Sequence, residues 1–164
     1  MKRILVLDTG YLDEFYKVDK YSNEIGYKEV KKRFSTAIKN NDSLYLPVSV
    51  IFELSNHIAH IKNSNQRKLL AQKLADNVET SVRLSSPFHI VPSEDFASAE
   101  KLVTTLLKFS ENYALKGIGL TDTTVLLEAQ RLRQRYPKDY CIHIWTRDSA
   151  LKRLEPDPEQ EAFI

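Results

Sequence analysis

The stretch Ile4-Leu5-Val6-Leu7-Asp8-Thr9-Gly10 decides how the rest of the chain is read. An unbroken apolar run, rich in branched residues and stopped by turn formers, fits a short strand buried on both faces of a parallel sheet. Other segments share this character. Leu44-Tyr45-Leu46 runs into Pro47, Phe88-His89-Ile90-Val91 is framed by Pro87 and Pro92, and Cys141 to Trp145 is apolar apart from His143.

Between these strands the periodicity becomes helical. Asp13 to Gly26 reads as a short helix and a loop, and Tyr27 to Asn41 aligns Val30, Phe34, Ala37 and Ile38. A helix starting near Pro47 to Ser49 carries Val50, Ile51, Leu54, Ile58 and Ile61. After the break at Lys62-Asn63-Ser64-Asn65, another runs from Gln66 to Leu84 with Leu69, Leu70, Leu74, Val78 and Val82 on one side. These two form a helical hairpin. Ser93 is the expected cap of a helix with Phe96, Ala99, Leu102, Val103 and Leu106 inward. Thr121 is the expected cap of a helix reaching Tyr136, with Val125, Leu126, Ala129 and Leu132 inward, and Asp148 to Leu154 is a short last helix. Strands separated by helices imply an α/β domain with a mainly parallel central sheet of four to five strands. The domain takes residues 1–155, and 156–164 form an extended tail suited to a final edge strand.

The 164 residues suffice for one core, and 42% hydrophobic with 28% charged residues is ordinary globular usage. A formal charge of +2, from 24 basic and 22 acidic residues, neither demands nor excludes nucleic acid. The single cysteine, Cys141, rules out an internal disulfide and a thiolate zinc site, and its apolar surroundings read as a buried structural thiol. The apolar run at the N-terminus stops at Asp8, too soon for a signal peptide or membrane span, so a cytoplasmic protein is expected.

The acids carry the chemistry. Asp8 ends the first strand, Asp148 lies just past the last, and Asp122 sits in the first turn of its helix, where the dipole tolerates an anion. In such sheets functional groups gather at the carboxyl ends of the strands. Glu53 lies in the otherwise apolar Val48-Ser49-Val50-Ile51-Phe52-Glu53-Leu54, where a carboxylate is costly to bury unless an ion or an arginine pairs with it. Taken singly, each acid has a plainer reading: a turn residue for Asp8, a first-turn acid for Asp122, a cap for Asp148, a solvated flank for Glu53. The set is what argues for function. Magnesium and manganese prefer oxygen ligands, can hold a scissile phosphate and can activate water. Without a cation, four crowded carboxylates would raise each other's pKa values.

On these residues the chain resembles the PIN-domain nucleases. The resembling pieces are the strand ending in Asp8-Thr9, the helical Val50-Ile51-Phe52-Glu53-Leu54, Gly119-Leu120-Thr121-Asp122, and Ile144-Trp145-Thr146-Arg147-Asp148, in the family's order. The resemblance implies a three-layer α/β/α domain that hydrolyses single-stranded or structured RNA with Mg2+ or Mn2+. It implies that Asp8, Glu53, Asp122 and Asp148 are both catalytic and metal-holding, with Thr9 and Thr146 as supporting hydroxyls. The length is similar to stand-alone VapC-like toxins, many of which dimerise and are silenced by an antitoxin. RNA, an antitoxin protein and a second copy of the chain are therefore the expected partners.

Arg147 is placed to contact a bound phosphate, with a surface arginine or an ion pair as the alternative. Tyr11, Tyr16, Tyr21 and Tyr27 could stack on RNA bases or serve the core and a dimer contact. Arg131, Arg133 and Arg135 read as a solvated face, as do Lys28, Lys31, Lys32 and Arg33. His57 and His60 lie three apart on one helix but lack a cysteine partner for zinc, and His89 and His143 read as core. The rivals are a phosphoryl-transfer protein with Asp8 as nucleophile, for which Gly10 stands where a second aspartate is wanted, and a non-catalytic PIN-like module binding RNA or protein.

Overall fold

The computed structural model describes residues 2–164. β1 (Lys2–Leu7) buries every residue from Ile4 to Leu7 and organises the sheet around itself. β2 (Ser43–Pro47) and β4 (Tyr140–Trp145) flank it, and β3 (Phe88–Val91) lies beyond β2, giving the order β3-β2-β1-β4. All three pairings are parallel, which explains the apolar strands: helices cover the sheet on both sides in a three-layer α/β/α fold. The register sets Leu7 opposite Trp145, so residues 8 and 146 leave the sheet side by side.

Helix α1 (Thr9–Tyr16) follows β1 directly, and α2 (Glu24–Lys39) starts from the Asn23 cap, whose side chain accepts from the Gly26 amide. Tyr11 of α1 and Phe34 of α2 meet the Trp145 ring at 5.3 and 5.4 Å. α3 (Val48–Ala59) and α4 (Ser64–Leu84) form the expected hairpin. Leu70 and Leu74 are buried, whereas Leu69 and Val82 face solvent, as does Ile38 of α2. The apolar stripes are therefore narrower than their periodicity suggests.

Past β3 the expectation needs correction. Glu94–Phe96 form a single 3-10 turn without a side-chain cap from Ser93, and α5 (Ala99–Lys108) begins at Ser98, whose hydroxyl accepts from the Lys101 amide. Of α5 only Thr105 is buried; Leu102, Val103 and Leu106, expected inward, are exposed because no element of the chain covers that side. Two irregular turns, Phe109–Tyr113 and Ala114–Lys116, lead to Gly117, which takes a left-handed conformation (φ 74°) that suits glycine. α6 (Leu120–Arg135) starts one residue before Thr121, with Gly119 as its cap position; Val125, Leu126, Ala129 and Leu132 are buried as expected. α7 (Ser149–Lys152) is a single turn.

No strand forms in 156–164, so the sheet has four strands, not five. Side chains do an edge strand's work instead. The Ile142 and Ile144 amides of β4 donate to the carboxylates of Asp157 (2.7 Å) and Glu155 (2.9 Å), and Lys152 donates to the Ile144 carbonyl (2.8 Å). Cys141 is half-buried rather than buried, because β4 is an edge strand screened only by this tail. No helix among the described residues is long and apolar enough to cross a membrane.

Candidate active site

β1 and β4 lie where the chain order reverses across the sheet, the place at which parallel α/β sheets open a crevice. Asp8 ends β1 and is buried; its carboxylate accepts from its neighbour's amide, Thr9 N (2.6 Å), and from the Thr146 hydroxyl (2.7 Å). Thr146 in turn accepts from the Asp148 amide (2.9 Å). One hydroxyl thus ties the ends of both strands together.

Glu53 reaches the same place from α3. It is half-buried and accepts a 2.6 Å hydrogen bond from the Thr9 hydroxyl, the partner its apolar surroundings call for. Asp122 arrives from α6, where its carboxylate accepts from the Gly119 amide (3.2 Å). A hydroxyl pair at 2.7 Å, Ser49 with Thr124, ties α3 to α6 and holds Glu53 and Asp122 on the same side. Asp148 has its plainer role as well: Oδ1 caps α7 by accepting from the Ala150 and Leu151 amides (2.7 and 2.9 Å).

Electrostatically the four carboxylates form one set. Burial pushes the Asp8 carboxyl up to about 7, with Asp122 and, more weakly, Glu53 raising it further against the hydrogen bonds from Thr146 and Thr9. Burial also raises Asp122, the Glu53 and Asp148 charges raise it further against the hydrogen bond from the Gly119 amide, and Asp8 lies within its electrostatic reach. Carboxyls that raise one another at the mouth of a sheet form an arrangement that a divalent cation would relieve. Among the described residues, no three His, Cys, Asp or Glu side chains make a ready-made metal cage. Thr9 holds Glu53 and the α7 cap holds Asp148. Magnesium is usually bound by one or two carboxylates and keeps several waters, so two of these acids would suffice. The donor set fits such an ion.

No family model and no curated protein matches the chain. Among solved structures, FitAcB from Neisseria gonorrhoeae superposes with a TM-score of 0.57 over 94% of this chain and 94% of that one, at 15% sequence identity. The fold is PIN-like. At that identity the likeness is one of architecture alone.

Within this PIN-like fold other residues stand differently from their sequence reading. Arg147 takes the ion-pair alternative of its sequence reading: its guanidinium contacts the buried carboxylate of Glu14 and lies 5.2 Å from the Phe163 ring. Tyr11 and Tyr16 are buried, the latter accepting from Asn77 (2.7 Å), and cannot stack on a base. Arg131 bridges Asp95 and Glu128, and Arg133 donates to the Tyr136, Pro137 and Tyr140 carbonyls and to Asp157; both are structural rather than solvated. His143 is buried as expected, while His89 is only half-buried against Tyr45. Asp42, without an evident role in the sequence, pairs with Arg3.

The pairing of Asp13 with His57 escaped the sequence reading, which weighed His57 only as a zinc ligand. His57 Nδ1 lies 2.9 Å from the Asp13 carboxylate, and its ring stacks on Tyr21 at 3.8 Å. Burial lifts Asp13 to about 6 although the His57 contact lowers it. The pair repeats the Thr9–Glu53 contact one helical turn on, with an i, i+4 step on both α1 and α3. That matched spacing was the available signal.

Proposed function

We propose that the chain is a metal-dependent endoribonuclease that hydrolyses single-stranded or structured RNA. The observation that carries this reading is the buried Asp8 carboxyl where β1 and β4 open, tied to the Thr146 hydroxyl of the neighbouring strand end and pushed up to about 7 by burial and by the nearby Asp122 charge. Asp8 and Asp122 would hold the ion, with Glu53 and Asp148 at its margin. Bound there, Mg2+ or Mn2+ supplies positive charge to the scissile phosphate and acidifies the attacking water. Thr146 fixes the Asp8 oxygen through its hydroxyl, and Thr9 keeps Glu53 facing the crevice. Hydrolysis would leave a 5′-phosphate and a 3′-hydroxyl.

The architectural likeness to FitAcB favours a finer reading as the toxin of a toxin–antitoxin pair, with an antitoxin protein and a second copy of the chain as partners. The uncovered apolar side of α5 leaves room for a protein partner.

The test is cleavage of single-stranded RNA by the purified chain in Mn2+, abolished by chelator. Asp8→Asn and Asp122→Asn should each lower the rate by at least about two orders of magnitude, the scale of losing one preorganised electrostatic contact to a transition state. Cleavage at the parent rate by both variants would refute the assignment. A trapped acyl-phosphate on Asp8 would point to phosphoryl transfer instead.

A further inference from the structure

A groove of about 360 Å³ opens beside the acids, lined by Ser49, Phe52, Glu53, Phe96, Leu120 and Thr121. Its position is the informative feature. Glu53 belongs to both groove and acid set, and Leu120-Thr121 lead directly into Asp122. Its walls are aromatic. Phe52, adjacent to Glu53 on α3, is 72% exposed, and Phe96, from the 3-10 turn, is 39% exposed. The Ser49 hydroxyl is already paired with Thr124 and the Glu53 carboxylate with Thr9, so the groove offers mainly apolar surface.

We infer that this groove is a base-stacking subsite: Phe52 and Phe96 receive one unpaired nucleobase of the RNA whose phosphate lies at the carboxylates. The inference rests on the ribonuclease reading and adds how the strand is held. The occupant follows from continuity. A nucleotide bound by its phosphate at Asp8 and Asp122 must send its base or its neighbour's base to one side, and this aromatic groove begins at Glu53. Aromatic side chains stack on any base and need no edge-specific contacts, which suits walls that are mainly apolar. Phe52 and Phe96 become substrate-binding residues that select for unpaired strands and are tolerant of sequence.

The test compares binding of a single-stranded RNA oligomer with that of an equally long abasic ribose-phosphate oligomer, in calcium, by fluorescence anisotropy. The parent chain should bind the RNA more tightly than the abasic strand. Phe52→Ala should weaken RNA binding roughly fivefold to a hundredfold, the range for loss of one stacked base. It should leave abasic binding unchanged, and Phe52→Tyr should restore the preference. Phe96→Ala should act in the same direction. Unchanged RNA affinity in both alanine variants would overturn the subsite. So would a Phe52→Ala variant that changes only the sedimentation of the protein, since the groove would then belong to a protein partner. Base-dependent binding without cleavage in Mn2+ would keep the subsite and refute the ribonuclease reading instead.

Discussion

Asp8 is where chemistry and stability meet at the level of a single residue. Its carboxyl titrates near 7 in the folded chain and near 3.8 when unfolded. Between those values the folded state holds the proton and the unfolded state does not, so stability of the metal-free protein falls as pH rises from about 4 to about 7 and then levels off. Asp8→Asn keeps an oxygen for the Thr9 amide and removes the charge. Thermal denaturation in chelator should therefore show Asp8→Asn more stable than the parent at pH 8, with a smaller gap at pH 4.5. Each kcal/mol corresponds to about 2–4 °C for a chain of this size. A variant less stable than the parent at pH 8 would mean that burial does not burden this carboxylate. The acids were legible in the sequence because each stands at the end of an element that a parallel sheet brings to one edge. Asp13, Glu14 and His57 were not, because their partners become visible only once α1 is known to lie beside α2, α3 and residue 147.

Elements were legible where the apolar pattern coincided with a partner surface. β1, the α3–α4 hairpin and the core face of α6 are of that kind. Periodicity states which residues share a side but not whether anything lies against it, which is why Leu102, Val103 and Leu106 of α5 were misplaced. The tail failed for a related reason: Glu155, Asp157 and Lys152 complete the edge of β4 through side chains, and no strand pattern records that. Lys152 is the central member, buried with Nζ at 2.8 Å from Glu155 and 2.9 Å from Glu159. Lys152→Met would leave the buried Glu155 carboxylate without its cation, Glu159 keeping Arg3 and Arg33 nearby, costing about 3–5 kcal/mol. A midpoint shift below 1 kcal/mol in urea would show that solvent reaches it. At α2 the close approach is backbone to carboxylate. A Cβ on Gly26 would come within 2.6 Å of both Glu14 oxygens, which also accept from Asn23 and contact Arg147. Gly26→Ala should destabilise the fold by about 1–3 kcal/mol as overpacking, despite the better helix propensity of alanine. A stabilised variant would show that Glu14 can swing away freely.

On the scale of the whole molecule, the site taxes the fold that builds it. The sheet order brings β1 and β4 together, and α3 and α6 converge on the same edge, so any stable packing of these elements crowds Asp8, Asp122, Glu53 and Asp148. A ligand that binds only the folded state returns stability in proportion to its concentration over its dissociation constant, reaching about 2.7 kcal/mol at a hundredfold excess. Because Asp8 would have to lose its proton to coordinate an ion, the proposed metal affinity and the stability it would confer are coupled to pH. Thermal denaturation with Mn2+ should show a rise in midpoint that is small at pH 5.5, grows as pH passes about 7, and is reversed by chelator. The rise should vanish in Asp8→Asn, even though that variant starts from a higher midpoint in chelator at pH 8. A metal-induced rise of equal size at both pH values, or one retained in Asp8→Asn, would locate the cation elsewhere on the protein and detach the carboxylates from the proposed chemistry.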